Sequence, residues 1–217
     1  MRGGDERPHG GVDLVLDIET IAAPSRLQIA LAGEEVRAPA NYRDPDKIEA
    51  YRQESLAKWA SKCALSPATG RLACLGVCPA DEPHNVGVML DESEHSMVAA
   101  LDKVLSSYSV PVRIVTFSGR GFDLPFLIVR SAVCAFRPEY PLPWRRYDPR
   151  HVDLRDILAD GSLEHWEVAL LGQRKTSHGS EVQSMWDAGR YDEIRAHCQE
   201  DVLRTAEIWR MLKPVLE

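Results

Sequence analysis

Four carboxylates and one imidazole of this chain, Asp17, Glu19, Asp123, Asp201 and His197, are of the residue types that can bind cations or move protons. The first pair lies in Leu14-Val15-Leu16-Asp17-Ile18-Glu19-Thr20. Its apolar, β-branched residues predict a buried strand. Side chains two apart on a strand share a face, so Asp17 and Glu19 project together. Anions held that close raise each other's pKa unless a cation lies between them. Hard carboxylate oxygens suit Mg²⁺ or Mn²⁺. So short a pattern also fits a solvated strand end.

Two further acidic positions stand out. Asp123, in Gly121-Phe122-Asp123-Leu124-Pro125, follows a predicted strand and opens a helix, where α/β folds often keep functional groups. It sits at or near the cap of that helix, and aspartate is a favoured cap. Asp201 lies in the last predicted helix beside Val202, Leu203, Ala206, Ile208 and Trp209, an apolar setting unusual for a carboxylate. His197, four residues earlier, shares its face about one turn away, a spacing that a surface His–Asp pair would also show.

The elements that must position these groups follow from periodicity and turn chemistry. After the first strand comes Pro24 and a polar stretch with Pro39, Asn41, Asp44 and Pro45, read as an insertion over about 24–62. Within it, Ile48, Tyr51, Leu56 and Trp59 recur at roughly helical spacing and predict a helix over Asp46–Lys62. Arg71–Cys78 and Asn85–Leu90 predict two strands of a meander. Met97, Val98, Leu101, Val104 and Leu105 form one side of a helix over 94–106. A strand at Arg113–Phe117 leads into a helix with Pro125 in its first turn, ending near Cys134. Residues 137–150 are rich in Pro and Arg and read as a loop. Helices are expected at 163–171, 181–187 and 191–212, broken by Gly172 and Gly189. Strands first, helices later and a strand–helix–strand crossover indicate an α/β domain around a mixed sheet. Residues 1–11 read as a flexible tail and 12–217 as one domain.

Bulk properties narrow the class. The 217 residues are 44% hydrophobic, enough for a core. A net charge of −7 argues against a broadly basic surface for non-specific nucleic-acid binding, although acidic groups clustered around metals would contribute to it. No apolar run reaches membrane-spanning length and no signal-peptide segment is recognised, so a cytoplasmic protein is expected. The five cysteines show no ligand-like pairing and are expected as reduced thiols.

Taken in order, Asp17-Ile18-Glu19-Thr20, Gly121-Phe122-Asp123-Leu124-Pro125-Phe126-Leu127 and Cys198-Gln199-Glu200-Asp201-Val202 resemble the three motifs of the DEDD superfamily of 3′–5′ exonucleases. These enzymes have a ribonuclease H-like fold, a mixed β-sheet flanked by helices. The chain is most similar to stand-alone bacterial proteins resembling the proofreading exonuclease domain of family-B DNA polymerases. Leu65-Ser66-Pro67-Ala68-Thr69-Gly70-Arg71-Leu72, His151-Val152-Asp153-Leu154, Leu171-Gly172-Gln173-Arg174-Lys175 and Gly179-Ser180-Glu181-Val182 extend the likeness over about residues 12–212.

The resemblance implies two divalent ions, Mg²⁺ or Mn²⁺, held by Asp17, Glu19, Asp123 and Asp201. It implies His197 as a further catalytic group, and substrate contacts from Thr20, Ser118, Phe122 and Lys175. It also implies hydrolysis at the 3′ end of nucleic acid, directed at single-stranded DNA. Alternatives are an oligoribonuclease-like exoribonuclease, or an inactive fold that binds nucleic acid or a partner protein. A single-zinc hydrolase lacks the further His or Cys ligands that zinc prefers.

The chain departs from the family at two places. Relatives carry a tyrosine with three residues between it and the last aspartate, or a histidine usually with four between. Here His197 has three residues between itself and Asp201, the spacing of one class with the residue of the other. If His197 deprotonates the attacking water, the rate falls as pH drops through roughly 6–7. Ser118 stands where many relatives have a substrate-contacting asparagine. Trp144, Arg145, Arg146 and Tyr147 offer stacking and phosphate-binding groups for a single strand. Asp153 is expected to cap a helix starting near Leu154. His151, His165 and His178 are read as structural or exposed.

Overall fold

The computed structural model describes residues 10–23, 38–60, 62–173 and 181–217. Strand β1, Val12–Ala22, runs through the middle of a five-stranded sheet. On one side it pairs antiparallel with β2, Gly70–Pro79, which pairs antiparallel with β3, Gly87–Leu90. On the other it pairs parallel with β4, Val112–Thr116, which pairs parallel with β5, His151–Asp153. The spatial order is β3-β2-β1-β4-β5. The meander needs only short connections, whereas bringing β4 parallel to β1 requires the crossover that helix α2, Glu94–Ser107, provides. Helix α1, Pro45–Ala60, lies in the long β1–β2 connection.

Alternation along β1 sorts its side chains into two layers. Leu14, Leu16 and Ile18 pack with Met97 and Leu101 of α2 and with Phe126 and Leu127 of α3, Asp123–Val133. Val15 faces the opposite way, against Val202, Ala206 and Trp209 of the long helix α7, Tyr191–Leu216. Ile21 joins Cys74, Ile194 and Cys198 in the same layer. Asp17 and Glu19 therefore fall on the α7 face, between two apolar neighbours. Gly76, the β2 partner of Asp17, lets α7 approach that closely: a Cβ there would lie 2.6 Å from Val202 Cγ2 and 2.9 Å from Cys198 Sγ.

Between β5 and α7, among the described residues, lie three short helices: α4, Leu154–Leu158; α5, Leu163–Trp166; and α6, Val182–Asp187. Several expectations need correction. Strand β5 was not anticipated, because three residues are too few to display an alternation. The helix expected over 163–171 changes after Trp166 to a wider π turn, Glu167–Leu171. Strand β3 starts at Gly87, after a 3₁₀ turn at Pro83–Asn85. Leu56 of α1 is 42% exposed, since the half-buried row on that helix runs through Ile48, Tyr51, Ser55 and Trp59.

Lys175 and His178 lie outside the described residues, as do residues 1–9 of the expected tail and 24–37 of the insertion. The five cysteines are free thiols, with Cys63, Cys74, Cys78 and Cys198 buried. Among the described residues no helix is long and apolar enough to cross a membrane.

Candidate active site

The site forms where the sheet splits. β1 and β4 pair from Val12–Val112 to Val15–Val115 and then separate. Beyond that point the backbone N–H of Ile18 donates instead to Asp123 Oδ1, at 3.1 Å across 105 residues of sequence. Asp123 is thus the first residue of α3, next to its cap Phe122 as expected, and no side-chain capping bond closes this end of the helix. Burial pushes its carboxyl up to about 7, and the charge of Asp153 adds to that rise, against the pull of its own and the Ile18 backbone N–H.

The turn that delivers Asp123 is held by Asp153. Its carboxylate accepts from Ser118 N and Arg120 N, both at 2.8 Å, and caps α4 by accepting from Arg155 N at 3.0 Å. The expected cap is therefore present, with two further bonds that no local sequence signal announces because the partners lie 35 and 33 residues away. Ser118 is left-handed, φ 65°, a conformation asparagine adopts more readily than serine. A Cβ at Gly119 would lie 2.4 Å from Thr116 Oγ1, so the turn closes only with glycine there.

Helix α7 brings the remaining groups. His197 Nε2 lies 3.2 Å from Glu19 Oε1 and 3.9 Å from Asp201 Oδ2, and the ring is 1% exposed. Glu19, His197 and Asp201 each offer a ligand atom within 4.8 Å of the others, an arrangement that could hold a metal ion. The 3.6-residue repeat puts His197 and Asp201 on one face, and the two-residue repeat of β1 puts Asp17 and Glu19 on the opposing one. Beneath them the Cys198 thiol is held well above its usual range by a hydrogen bond with Cys74, by burial, and by the negative charge of Asp17 and Glu19. His197 was expected as a catalytic group only; its place as a candidate ligand depends on the strand it meets.

The other expected substrate residues flank this cluster. Thr20 Oγ1 donates to Ala64 O at 2.7 Å, anchoring the 3₁₀ turn Cys63–Leu65 to β1. Phe122 packs on Phe126, with centroids 5.6 Å apart, and joins the apolar layer under α3. The end of β1 is tied down by Ala22 N donating to Gln183 Oε1 of α6 at 2.8 Å.

Fold and site together define a ribonuclease H-like α/β domain with acidic residues gathered beside its central strand. The chain belongs to the family described as predicted 3′–5′ exonucleases related to the exonuclease domain of PolB, whose pattern matches residues 73–214. That match includes Asp123, His197 and Asp201 and begins after Asp17 and Glu19. Among solved structures, the chain is similar to the family B DNA polymerase of the hyperthermophilic archaeon Pyrobaculum calidifontis, with a TM-score of 0.61 and 17% identity. The match covers 98% of this chain and 26% of the polymerase chain. No curated protein matches the sequence.

Proposed function

We propose that this chain is an active, metal-dependent 3′–5′ exonuclease that takes single-stranded 3′ ends, DNA first among them. The observation that carries the reading is the meeting of Glu19 on β1 with His197 and Asp201 on α7, beside Asp123 bonded to Ile18. This donor set, oxygen-rich with one imidazole, fits Mg²⁺ or Mn²⁺. Asp17, Glu19, Asp123 and Asp201 would hold two such ions. Bound there, they would supply a nucleophilic water and charge stabilisation for the departing 3′ oxygen.

The chain's own groups do the rest. The bond from Ile18 fixes one oxygen of Asp123 beside β1. His197 Nε2 points at the carboxylates rather than at solvent, so it can take a proton from a water held among them. Ser118 and Phe122 line the turn next to Asp123, where a substrate strand would enter.

Incubating 3′- and 5′-labelled single-stranded DNA and RNA with Mn²⁺, Mg²⁺ or EDTA tests the reading. Metal-dependent stepwise loss from the 3′ end is expected, with the ratio between DNA and RNA deciding the preferred sugar. No cleavage with either metal overturns it in favour of a fold that only binds. Loss of rate in His197→Ala, with Mn²⁺ affinity retained by calorimetry, supports the proton-transfer role. A tandem loss of Mn²⁺ affinity would make His197 a ligand.

A further inference from the structure

The loop before β5 carries two large aromatic rings turned to water. Trp144 is 71% exposed and Tyr147 is 87% exposed, whereas the other tryptophans are buried or half-buried. Each ring carries a guanidinium: Arg145 lies 5.4 Å from the Trp144 centroid and Arg146 5.8 Å from that of Tyr147. Neither guanidinium is in an ion pair among the described residues, while the neighbouring Arg150 is bound to Asp148. In a chain of net charge −7, two exposed cations outside any ion pair among the described residues, beside exposed rings, form a local exception, with Asp148 the acidic group that faces Arg145.

The loop is joined to the candidate active site. Arg120, in the turn that delivers Asp123, donates from Nη1 to the Arg146 carbonyl and from Nε to Asp156 Oδ2. Trp144 and Arg145 line a cleft together with Leu124 and Pro125, the residues directly after Asp123. Whatever occupies this cleft passes the first turn of α3.

We infer that Trp144-Arg145-Arg146-Tyr147 is a stacking platform for single-stranded nucleic acid, holding nucleotides upstream of the 3′ end. The inference rests on the exonuclease reading for the origin of the strand. A nucleotide offers both features the loop is shaped for: a base to stack on a ring and a phosphate to pair with a guanidinium. A duplex hides its base faces, so the platform selects single strands.

Binding of fluorescein-labelled 20-mers, (dT)20 and (rU)20, is measured by anisotropy in EDTA and in Ca²⁺, so that no turnover is required. Replacing both rings, Trp144→Ala with Tyr147→Ala, weakens binding by about tenfold or more. Replacing both cations, Arg145→Gln with Arg146→Gln, lowers the slope of log Kd against log salt by about 1.4, the value for two phosphates on a single strand. Trp144→Phe keeps the binding but loses the strand-induced quenching of tryptophan emission. DNA and RNA arms report which strand is preferred, and either supports the inference.

Unchanged affinity in the ring variant, an equal loss for a 20-base-pair duplex, or no strand binding by the unmodified protein in both conditions overturns it; a protein-docking loop would give the first result. Hydrolysis of the p-nitrophenyl ester of thymidine 5′-monophosphate with Mn²⁺ reads the chemical site separately, because that substrate has no upstream nucleotides to occupy the platform. Its rate is unchanged in the platform variants. If the unmodified protein hydrolyses neither the ester nor any strand, the exonuclease reading fails while the binding comparison still decides the platform.

Discussion

Near the start of β1, Asp13 accepts two hydrogen bonds from Arg113, at 2.7 and 3.0 Å, and one from Trp209 Nε1 at 2.9 Å, with Lys213 Nζ at 2.7 Å. Farther along the same strand, Glu19 meets His197 and, around it, Asp201, while Asp123 closes on Ile18. Both ends hold carboxylates out of water, and the outcomes are opposite. At Asp13, burial raises the pKa, but the hydrogen bonds from Arg113, Lys213 and Trp209 outweigh it and leave the group below the usual carboxylate range. At Asp123 burial prevails and the carboxyl rises to about 7. One end is a closed ionic cluster that ties β1 and β4 to the last turns of α7. The other gathers acid against acid, which is costly for a fold and useful for a cation-dependent reaction.

Substitutions at the two ends should separate activity from stability. Asp17→Ala is expected to reduce metal-dependent hydrolysis to background with little change in melting temperature; retained hydrolysis would remove Asp17 from the proposed site. Asp13→Ala should do the reverse. It leaves Arg113 and Lys213 without their shared anion and should cost about 3 kcal/mol in urea unfolding, while the folded fraction stays active. A merely neutral effect would mean the cluster is already solvated.

Gly76→Ala lies between the two behaviours. The new Cβ meets Val202 and Cys198, so α7 must move off the sheet, carrying His197 and Asp201 with it. A loss of about 2 kcal/mol is expected together with reduced kcat, and unchanged kcat would show that the site tolerates the shift.

The smallest effect is a pH dependence measured in EDTA. The folded pKa of Asp123, about 7, lies above the unfolded value near 3.8. The folded state therefore holds a proton that the unfolded state has lost, and the contribution of this group to stability falls as pH rises from about 4 to 7. Asp123→Asn keeps an oxygen for Ile18 and removes that penalty, raising the melting temperature at pH 8 relative to the unmodified protein while losing hydrolysis. His151, held down to about 4 by burial, contributes with the opposite sign in both proteins, so the reading is the difference between them: a gap in melting temperature that does not widen from pH 4 to 7 would contradict the assignment.

Much of the architecture was legible because it is periodic. The alternation in β1 and the 3.6-residue rows in α2, α3 and α7 mark both the elements and the faces they bury. Strand β5 was not legible, since three residues carry no period, and Leu56 was misplaced because a loose helical spacing fits more than one row. The role of Asp153 was half visible: its cap on α4 is local, whereas its bonds to Ser118 and Arg120 bridge a loop.

By itself the sequence determined which residues could share a face: Asp17 with Glu19 by the period of a strand, and His197 with Asp201 by the period of a helix. It also supplied the order of motifs that resembles an exonuclease. Only the tertiary structure decided that those two faces meet, that β1 and β4 part after Val15, and that Asp123 fills the gap at Ile18. Periodicity is a property of neighbours in sequence. The meeting of β1 with α7 spans more than 170 residues and depends on packing, down to a glycine at position 76 that has no side chain to hold the helix away.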